Sequence, residues 1–514
     1  MSAASTAAAR PQSALTRISA VMASRPLWVA LALTGAITVL RLIDSVDSDV
    51  AWQLWIAQRI HAGAHLYRDI VEVNPPLWFW MAIPVERIAS ALHLPIITVL
   101  IVAIGALVGL ALGATERLLA DLAPERRTPL LAFTALTLAA MPWMHVGQRE
   151  QIVLVGAVPY AALIAARSEG RRVSPFLAVA IGTGAALGFA LKHYFLIVPA
   201  MLELWLLVKQ RRAYSPARSE VAAIIGVGCA YAAAIVVVAP DWLTRTLPLI
   251  RLAYGATGAP ALRYLFGPFA LTGMVLLGIA ISQHKRLAAV PFAAALATAA
   301  AGFAVAYFIQ AKGWSYHAIP MLGCASLALA MLLAEGSGLP RALRLIAPAL
   351  LALPLFLAAD DELHPALPSP DLLGAAAGLG NGETVAFLST EPALAWSVTL
   401  QHGYRYPSRY MGYWMMNAII RNEANGSPDP RLTALGRQIV SETVDDFRCA
   451  PPARIIVWRP RPGQQAFDIL PFFLRDPDFA ELLSHYRARS RTSLETYEQV
   501  SPLPPPRSPC RMGV

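Results

Sequence analysis

The sequence predicts a polytopic α-helical membrane protein that continues into a small C-terminal α/β domain. Of its 514 residues, 56% are hydrophobic and only 14% are charged, whereas about a quarter of the residues in a soluble domain carry charge. The apolar residues fall in blocks of roughly 20, which is the length that crosses a bilayer as a helix. Beyond residue 359 these blocks shorten and turn residues become frequent, as is typical of a soluble domain.

About eleven blocks are predicted to span the membrane, at residues 27–43, 95–118, 128–141, 152–166, 175–191, 195–208, 221–239, 265–282, 287–309, 317–333 and 345–358. Arg10, Arg17 and Arg25 precede the first block, and acidic residues follow it. Because cationic residues accumulate on the cytoplasmic side, residues 1–26 are predicted to be a cytoplasmic tail. The membrane domain then covers residues 27–359, and its first loop lies outside.

The apolar segment at residues 75–92 is predicted to stay on the outer surface. If it crossed the membrane, the cationic clusters at residues 167–172 and 209–212 would lie outside, against the positive-inside rule. The segment also contains Pro84, Glu86 and Arg87, and charged side chains are costly in lipid. We therefore expect a juxtamembrane helix within the first outer loop, residues 44–95, and a periplasmic C-terminal domain at residues 360–514.

The C-terminal region mixes short apolar runs with charges. VAFLST at residues 385–390 and RIIVW at 454–458 predict buried strands, whereas residues 407–420 and 480–488 predict helices. The four cysteines do not form a metal-binding pattern. Cys449 and Cys510 could form a disulfide if this region is periplasmic, and two free thiols are the open alternative.

The first outer loop carries the strongest candidates for chemistry. Asp47 and Asp49 stand directly before a helical run, and Glu72 precedes the stiff Pro75-Pro76 pair. Two carboxylates just outside a span can bind a divalent cation or act as a general base on a hydroxyl. The alternative for the aspartates is a helix cap, and for Glu72 it is an unpartnered surface glutamate.

Three other polar groups are predicted at the same outer ends of the spans. Glu150 with Arg149 opens a span, where a charge is costly unless it is paired or faces a polar cavity; the alternative is a local ion pair at the interface. Lys192 with His193 interrupts an apolar stretch and could bind phosphate as a point charge, or could simply be interfacial.

The third group is the sequence KGWSYH at residues 312–317. Trp314 and Tyr316 are suited to the faces of sugar rings, and Lys312 and His317 are suited to phosphate oxygens. The alternative is the belt of interfacial aromatic residues that is common in membrane proteins.

The order of motifs in the first outer loop resembles that of the GT-C membrane glycosyltransferases. Asp49 is followed by a helical run, then by Tyr67-Arg68-Asp69 and by Pro75-Pro76-Leu77. The pattern is most similar to the bacterial branch that contains protein O-mannosyltransferases and the lipid A aminoarabinose transferase. The resemblance covers the first two hundred residues by topology and spacing.

The resemblance implies inverting transfer of a sugar from a polyprenyl-phosphate-linked donor to a lipid, glycan or protein acceptor on the periplasmic face of the inner membrane. Asp49 matches the family's catalytic aspartate, with Asp47 as the near alternative. Glu72 matches the acid before the Pro-Pro pair. Glu150 stands where the family places a second acid, although its flanking sequence departs from the pattern.

These assignments give each candidate an expected role. Asp49, Asp47 and Glu150 are the expected catalytic carboxylates, and Asp49 with Glu150 would hold a cation such as Mg²⁺ or Mn²⁺ if one is used. The remaining candidates divide into groups for the donor phosphate, namely Lys192, His193, Lys312, His317 and Arg149, and groups for substrate, namely Glu72, Tyr67, Trp314 and Tyr316.

Two other functional classes compete with a glycosyltransferase. A transporter or flippase for a lipid-linked or anionic solute would place ionisable residues deep in several spans, whereas here they gather at the outer ends. A non-catalytic scaffold would leave the acidic loop without a role. Nucleic-acid binding is not indicated, because much of the net charge of +10 belongs to short clusters between the spans.

Overall fold

The structure is a computed structural model, and it describes residues 25–43, 45–255, 265–335, 339–363, 370–460, 467–491, 494–507 and 509–510. Apart from Arg25 and Pro26, the predicted cytoplasmic tail at residues 1–26 lies outside the described residues. The described chain is mainly helical up to residue 363, and it then forms a small mixed domain around one sheet.

The helices of the membrane-like part are α1 Pro26–Arg41, α2 Ser48–His61, α3 Leu77–Leu92, α4 Ile96–Leu118, α5 Pro124–Ala135, α6 Arg149–Ser168, α7 Pro175–Ala190, α8 Ile197–Gln210, α9 Ser219–Val238, α10 Leu247–Gly255, α11 Pro268–Ser282, α12 His284–Leu287, α13 Pro291–Gln310, α14 Ile319–Ala334 and α15 Arg341–Leu363. Every predicted span overlaps one of them, with α5 prolonged by the π-helix Leu136–Ala140. Six helical segments are long and apolar enough to cross a membrane, namely α4, α6, α9, α13, α14 with the preceding turn, and α15. The apolar helices α1, α7 and α11 are shorter, so the number of eleven spans remains a prediction.

The helices differ in how deeply they are buried: α14 lies at the centre of the bundle, and α9 lies at its periphery. Almost every residue of α14 is buried, and α14 packs against α13 and α11. In α9 only Glu220 is buried, which leaves an apolar surface suited to lipid. Glycines permit the closest helix contact, since a Cβ at Gly188 of α7 would lie 2.9 Å from the Val153 Cα of α6.

The first outer loop folds into two helices that pack on one another. Asp47 caps α2, because its side chain accepts a hydrogen bond from the Asp49 backbone N–H. The predicted juxtamembrane helix is α3, which falls outside the set of apolar spans. Its Glu86 is paired, with His61 at 3.3 Å and Ser90 at 2.7 Å, so this carboxylate has local polar partners.

The C-terminal domain is built on four strands, with the helices α16 Pro370–Ala376, α17 Ala393–Trp396, α18 Met416–Ala424, α19 Pro430–Cys449, α20 Leu470–Phe473 and α21 Pro477–Ser484. The strands are β1 Val385–Leu388, β2 Arg454–Trp458, β3 Tyr486–Arg491 and β4 Leu494–Gln499, in the order β1-β2-β4-β3. β1 and β2 are parallel, and they pair Val385 with Arg454; the other pairs are antiparallel. Cys449 and Cys510 form a disulfide with a Cα–Cα distance of 5.5 Å.

Two helical predictions in this domain are partly wrong. Residues 407–415 are irregular and α18 begins only at Met416, while the segment at 480–488 turns into β3 at Tyr486. Tertiary contacts explain the first difference. The Asp446 carboxylate accepts hydrogen bonds from the backbone N–H and the guanidinium of Arg409, while the Arg409 carbonyl accepts one from the Val71 N–H at 2.8 Å.

Contacts between aromatic rings also attach the C-terminal domain to the first outer loop. The Trp396 ring lies edge-on to Trp52 and Trp55 of α2, with ring centroids 4.9 Å and 5.5 Å away. Trp52 and Trp55 are themselves stacked at 4.7 Å. Since α2 begins at the two aspartates, this aromatic cluster fixes the domain beside them.

Candidate active site

The candidate site gathers side chains from four connections at one end of the helix bundle. These are the start of α2, the 3₁₀ turn Trp143–His145 with the start of α6, the link between α7 and α8, and the turn Ser315–Ala318 between α13 and α14. All four follow or precede bundle helices at the same end. The structure therefore brings together the predicted groups around residues 49, 150, 192 and 316.

Asp47 and Asp49 form one hydrogen-bonded unit. The Gln148 amide Nε2 donates to Asp47 Oδ1 at 3.0 Å and to Asp49 Oδ2 at 3.3 Å. His145 Nδ1 lies 3.1 Å from Asp47 Oδ2, and the Tyr316 hydroxyl donates to Asp49 Oδ2 at 3.0 Å. The described hydrogen bonds of Asp49 thus fall on Oδ2, and its side chain is 26% exposed, so Oδ1 is the oxygen open to a ligand.

The surroundings push the pKa values of the two aspartates in opposite directions. Burial acts to raise the pKa of Asp47, but the hydrogen bond and charge of His145, together with the hydrogen bonds from the Asp49 N–H and Gln148, leave this pKa lowered. Burial, followed by the negative charge of Asp47, raises the pKa of Asp49 above its usual value. A carboxylate with a raised pKa is the better proton acceptor of the pair near neutral pH.

Arg149 lies beside Asp49 and is almost completely buried. Its Nη2 is 3.7 Å from Asp49 Oδ2, its Nη1 donates to the Asn74 side-chain carbonyl, and the guanidinium lies 4.5 Å from the Trp78 ring centroid. Its Nε is buried without a hydrogen-bond partner among the described residues. Arg149 therefore places positive charge beside Asp49, and its Nε is a buried donor that no described group satisfies.

Glu150 and Lys192 form a buried ion pair. Lys192 Nζ donates to Glu150 Oε1 at 2.6 Å and to Gln310 Oε1 at 3.0 Å, and it lies 3.1 Å from His317 Nε2. These three contacts use all three ammonium donors. Glu150 Oε2 and His317 Nδ1 are buried without partners in the described part of the chain. Burial lowers the pKa of Lys192 to about 8.

The KGWSYH motif forms one wall of the site. Tyr316 and His317 are buried, whereas Trp314 is 48% exposed, with its ring 5.6 Å from that of Tyr316. Lys312 acts electrostatically on His317, and burial lowers the pKa of Lys312. The exposed Trp314 face is the aromatic surface that a sugar ring can reach.

Glu72 and Tyr67 hold the loop beneath the site. Glu72 is 3% exposed, and its carboxylate accepts hydrogen bonds from the Trp52 indole and from the Asn74 backbone and side-chain amides. The Tyr67 hydroxyl donates to the Asn74 carbonyl at 2.7 Å. The described contacts of Glu72 and Tyr67 orient Asn74, which in turn contacts Arg149. Substrate binding by Glu72 and Tyr67 therefore remains a prediction.

His193 is separated from this cluster. Its exposed ring lies against Tyr194, with ring centroids 3.8 Å apart. Burial, followed by the charge of Lys192, lowers its pKa. A role of His193 in phosphate binding therefore remains a prediction without support from these contacts.

Sequence reasoning missed four polar residues of the site, which are His145, Gln148, Asn74 and Gln310. Gln148, Asn74 and Gln310 each lie within two residues of a predicted site residue, and His145 lies four residues before Arg149. His145 and Gln148 belong to the segment WMHVGQREQ, which combines six hydrogen-bonding side chains in a short loop that is predicted to lie outside. That density of polar groups between two apolar spans was the available signal.

The donor set gives little support to a metal ion. The described residues contain no group of three or more His, Cys, Asp or Glu side chains placed to hold one. Glu150 Oε1 already faces the Lys192 ammonium, and Asp49 Oδ2 is engaged by Tyr316 and Gln148. A Mg²⁺ or Mn²⁺ ion held by Asp49 and Glu150 remains a prediction, and no step below involves it.

Comparison with known proteins places the fold. No family model and no curated protein matches the sequence significantly. Among solved structures, ArnT from Cupriavidus metallidurans bound to undecaprenyl phosphate superimposes with a TM-score of 0.53 at 11% identity, covering 94% of this chain and 98% of that one.

Two structures of the oligosaccharyltransferase from Archaeoglobus fulgidus are also similar, each at 11% identity and covering 75% of that chain. The apo form has a TM-score of 0.46 over 94% of this chain, and AglB with an inhibitory peptide and a dolichol-phosphate has 0.43 over 95%. The similarity to ArnT, at a TM-score of 0.53, confirms at the level of the fold the predicted resemblance to the GT-C membrane glycosyltransferases.

Proposed function

We propose that the chain is a glycosyltransferase that moves a sugar from a polyprenyl-phosphate-linked donor to a hydroxyl or amine acceptor, with Asp49 as the general base. One observation carries the proposal. A partly exposed carboxylate with a raised pKa and an open oxygen, Asp49, lies 3.7 Å from the buried guanidinium of Arg149 and within electrostatic range of the buried Lys192. A base beside cations is the arrangement that transfer from a phosphate-linked sugar requires.

The reaction would proceed by a single displacement. The acceptor oxygen or nitrogen forms a bond to the anomeric carbon while the bond from that carbon to the phosphate oxygen breaks. The acceptor proton passes to Asp49 Oδ1, and the polyprenyl phosphate leaves with the electron pair. Attack opposite to the leaving phosphate inverts the anomeric centre.

The cations have distinct tasks in this scheme. Arg149 keeps an unpartnered Nε donor, which is suited to a phosphate oxygen of the leaving group. The three donors of Lys192 are occupied by protein groups, so Lys192 acts through its charge and by holding Glu150 and His317 in place. The exposed Trp314 offers a stacking face for a sugar.

Support for the lipid donor comes from the fold. The ArnT structure that this chain resembles holds undecaprenyl phosphate. Transfer on the periplasmic face of the inner membrane, with the domain at residues 360–514 outside, belongs to the proposal. It is supported by the distribution of cationic residues described above.

The proposal is tested with full-length protein in membranes. Donors are undecaprenyl-phosphate-linked labelled hexoses and pentoses, and label moving into lipid, glycan or protein fractions is measured for the wild type, Asp49→Asn and Asp121→Asn. Asp121 is an exposed carboxylate in the turn between α4 and α5, so it serves as the control. We expect Asp49→Asn to lose about 10²–10⁴-fold in rate and the control to match the wild type.

Binding of the lipid donor with no transfer by the wild type, for every donor tested, would contradict the proposal. That result would favour the transporter or flippase.

A further inference from the structure

A cavity of about 390 Å³ lies beside the turn that joins α3 to α4. Its volume is within the range of small-molecule sites in proteins. The walls come from α2, from α3 with the turn that follows it, from the start of α4 and from the C-terminal domain. The lining residues include Gln58, Glu86, Ser90, Leu94, Ile97 and Leu400. None of them belongs to the candidate active site.

Glu86 is the acidic side chain of this cavity, and it is nearly buried. The residue is 6% exposed. Both of its described contacts fall on one oxygen, because the Ser90 hydroxyl donates to Oε1 at 2.7 Å and His61 Nδ1 lies 3.3 Å from the same atom. Oε2 accepts no hydrogen bond from the described residues. Since a carboxylate oxygen with little access to water is costly without a donor, Oε2 is suited to a donor from a ligand.

The Glu86 carboxylate also has no permanent counter-charge among the described residues. Its described ion-pair contact is with His61, and an imidazole carries charge only when it is protonated. The other residues beside it in the cavity are His93, to which the same condition applies, and Gln58, whose neutral side chain makes no described hydrogen bond. A nearly buried carboxylate without a fixed cation favours a cationic ligand that donates hydrogen bonds.

The apolar walls and the position of the cavity favour a lipid as the source of this cation. Leu94, Ile97 and Leu400 supply apolar lining. Leu94 is 45% exposed, and Leu92 in the same turn is 60% exposed, so apolar surface continues outside the cavity. The helix α3 is predicted to lie on the membrane surface, which is the level of the lipid headgroups. A headgroup ammonium could then enter the cavity while the acyl chains stay outside it.

We propose that this cavity binds the primary ammonium of a phosphoethanolamine lipid headgroup, and that Glu86 Oε2 accepts a hydrogen bond from that ammonium. The headgroup would contact α2, α3 and the C-terminal domain at once. Its binding would therefore stabilise the packing of these three parts, because a ligand that binds only the folded state stabilises that state. The inference concerns a second site and does not depend on the proposed transferase function.

The test measures equilibrium binding of four probes to the full-length protein in detergent. Three are short-chain dihexanoyl phospholipids with an ethanolamine, a choline or a glycerol headgroup, and the fourth is free ethanolamine. The choline lipid keeps the positive charge but has no N–H donor, and the glycerol lipid has no cation. Free ethanolamine has the ammonium without the acyl chains, so it separates a lipid from a small soluble amine.

Three variants are compared with the wild type. Glu86→Gln removes the charge but keeps the size of the side chain and a carbonyl oxygen for the Ser90 hydroxyl. Leu94→Trp narrows the cavity and leaves Glu86 unchanged. Leu92→Trp is the matched control, because Leu92 lies in the same turn, is more exposed than Leu94 and does not line the cavity.

The wild type is expected to bind the ethanolamine lipid about tenfold or more tightly than the choline and glycerol lipids, since only the primary ammonium donates a charge-assisted hydrogen bond. Glu86→Gln should weaken binding of the ethanolamine lipid by about tenfold and should leave the glycerol lipid unaffected. Leu94→Trp should weaken binding of the ethanolamine lipid as well, and Leu92→Trp should not.

Equal affinity for the three lipids would overturn the inference, as would unchanged affinity of the ethanolamine lipid in Glu86→Gln. Binding of free ethanolamine as tight as that of the lipid would overturn the assignment to a lipid headgroup. Thermal unfolding without added lipid shows whether each variant is folded. If Glu86→Gln does not fold, the comparison of Leu94→Trp with Leu92→Trp decides, and equal affinities in those two variants would overturn the inference.

Discussion

The buried Glu150–Lys192 pair predicts a strong energetic coupling. Glu150 is fully buried, and Lys192 is 11% exposed with Nζ 2.6 Å from Glu150 Oε1. In Lys192→Met, Oε1 keeps only His317 at 3.6 Å, and Oε2 is already without a described partner. A buried charge left without its partner costs about 3–5 kcal/mol of folding free energy.

The magnitude is tested by a double-mutant cycle with Lys192→Met, Glu150→Gln and the combined variant. Each single change leaves one buried charge without its counter-charge, whereas the combined change removes both charges. The double variant should therefore lose less stability than the sum of the two, by about 1–3 kcal/mol. Thermal unfolding of the detergent-solubilised wild type and the three variants, followed by tryptophan fluorescence at one scan rate, gives the four stabilities of the cycle.

Additive losses would refute this reasoning, because they would mean that the two charges do not depend on one another. Transfer activity provides a second measurement on the same variants. The double variant recovers stability but should remain impaired in transfer, since the charge of Lys192 is absent from the cationic side of the site. A matched pair on the opposite end of the bundle, Arg126 with Glu335 at 3.2 Å and substantially exposed, should show a coupling of at most about 1 kcal/mol.

Four further predictions follow from the contacts described. Transfer should fall at low pH as Asp49 is protonated, and this fall should come at a higher pH than for an ordinary carboxyl because the pKa of Asp49 is raised. Transfer should also fall at high pH as Lys192 loses its proton near a pKa of about 8. A pH–rate profile measures both falls, and Lys192→Arg should remove the one at high pH. His145→Ala removes the two largest interactions that lower the pKa of Asp47, the hydrogen bond and the charge of His145, so Asp47 carries less negative charge. The fall in transfer that protonation of Asp49 causes should then move to lower pH, and an unmoved fall would contradict this. Trp396→Ala should increase proteolytic cleavage between the membrane part and the C-terminal domain, compared with Trp28→Ala on the exposed face of α1. The double substitution Cys449→Ser with Cys510→Ser removes the disulfide that joins two residues at a sequence separation of 61. It should lower the free energy of unfolding of the C-terminal domain by about 2–4 kcal/mol. Equal denaturant midpoints for the wild type and the double variant would contradict this prediction.

Local sequence features predicted much of the fold. Apolar blocks of membrane length located the helices, and short apolar runs located β1 and β2, because burial determines both patterns. The juxtamembrane assignment of residues 75–92 rested on charge parity; these residues form α3, and the location of α3 at the membrane surface stays a prediction. The prediction failed where long-range contacts override local propensity, as at Arg409, whose backbone is tied to Asp446 and Val71.

The candidate site was predictable in its carboxylates and less so in their partners. Asp47, Asp49, Glu150 and Lys192 stood out because charges are rare in this chain. The pairing of Lys192 with Glu150 joins the ends of different helices, and the packing of Trp396 on Trp52 and Trp55 depends on how the C-terminal domain docks. Sequence spacing carries no information about either contact, since both follow from tertiary packing.

The central claim is that Asp49 takes the proton of the acceptor, and a single-turnover measurement tests it most directly. The labelled undecaprenyl-phosphate sugar is bound to wild type, Asp49→Asn and Asp47→Asn in excess over donor, and the first-order rate of transfer is followed together with donor affinity. The account predicts a loss of about 10²–10⁴-fold in Asp49→Asn, a smaller loss in Asp47→Asn, and unchanged donor affinity. A wild-type rate in Asp49→Asn, or a larger loss in Asp47→Asn, would contradict the claim.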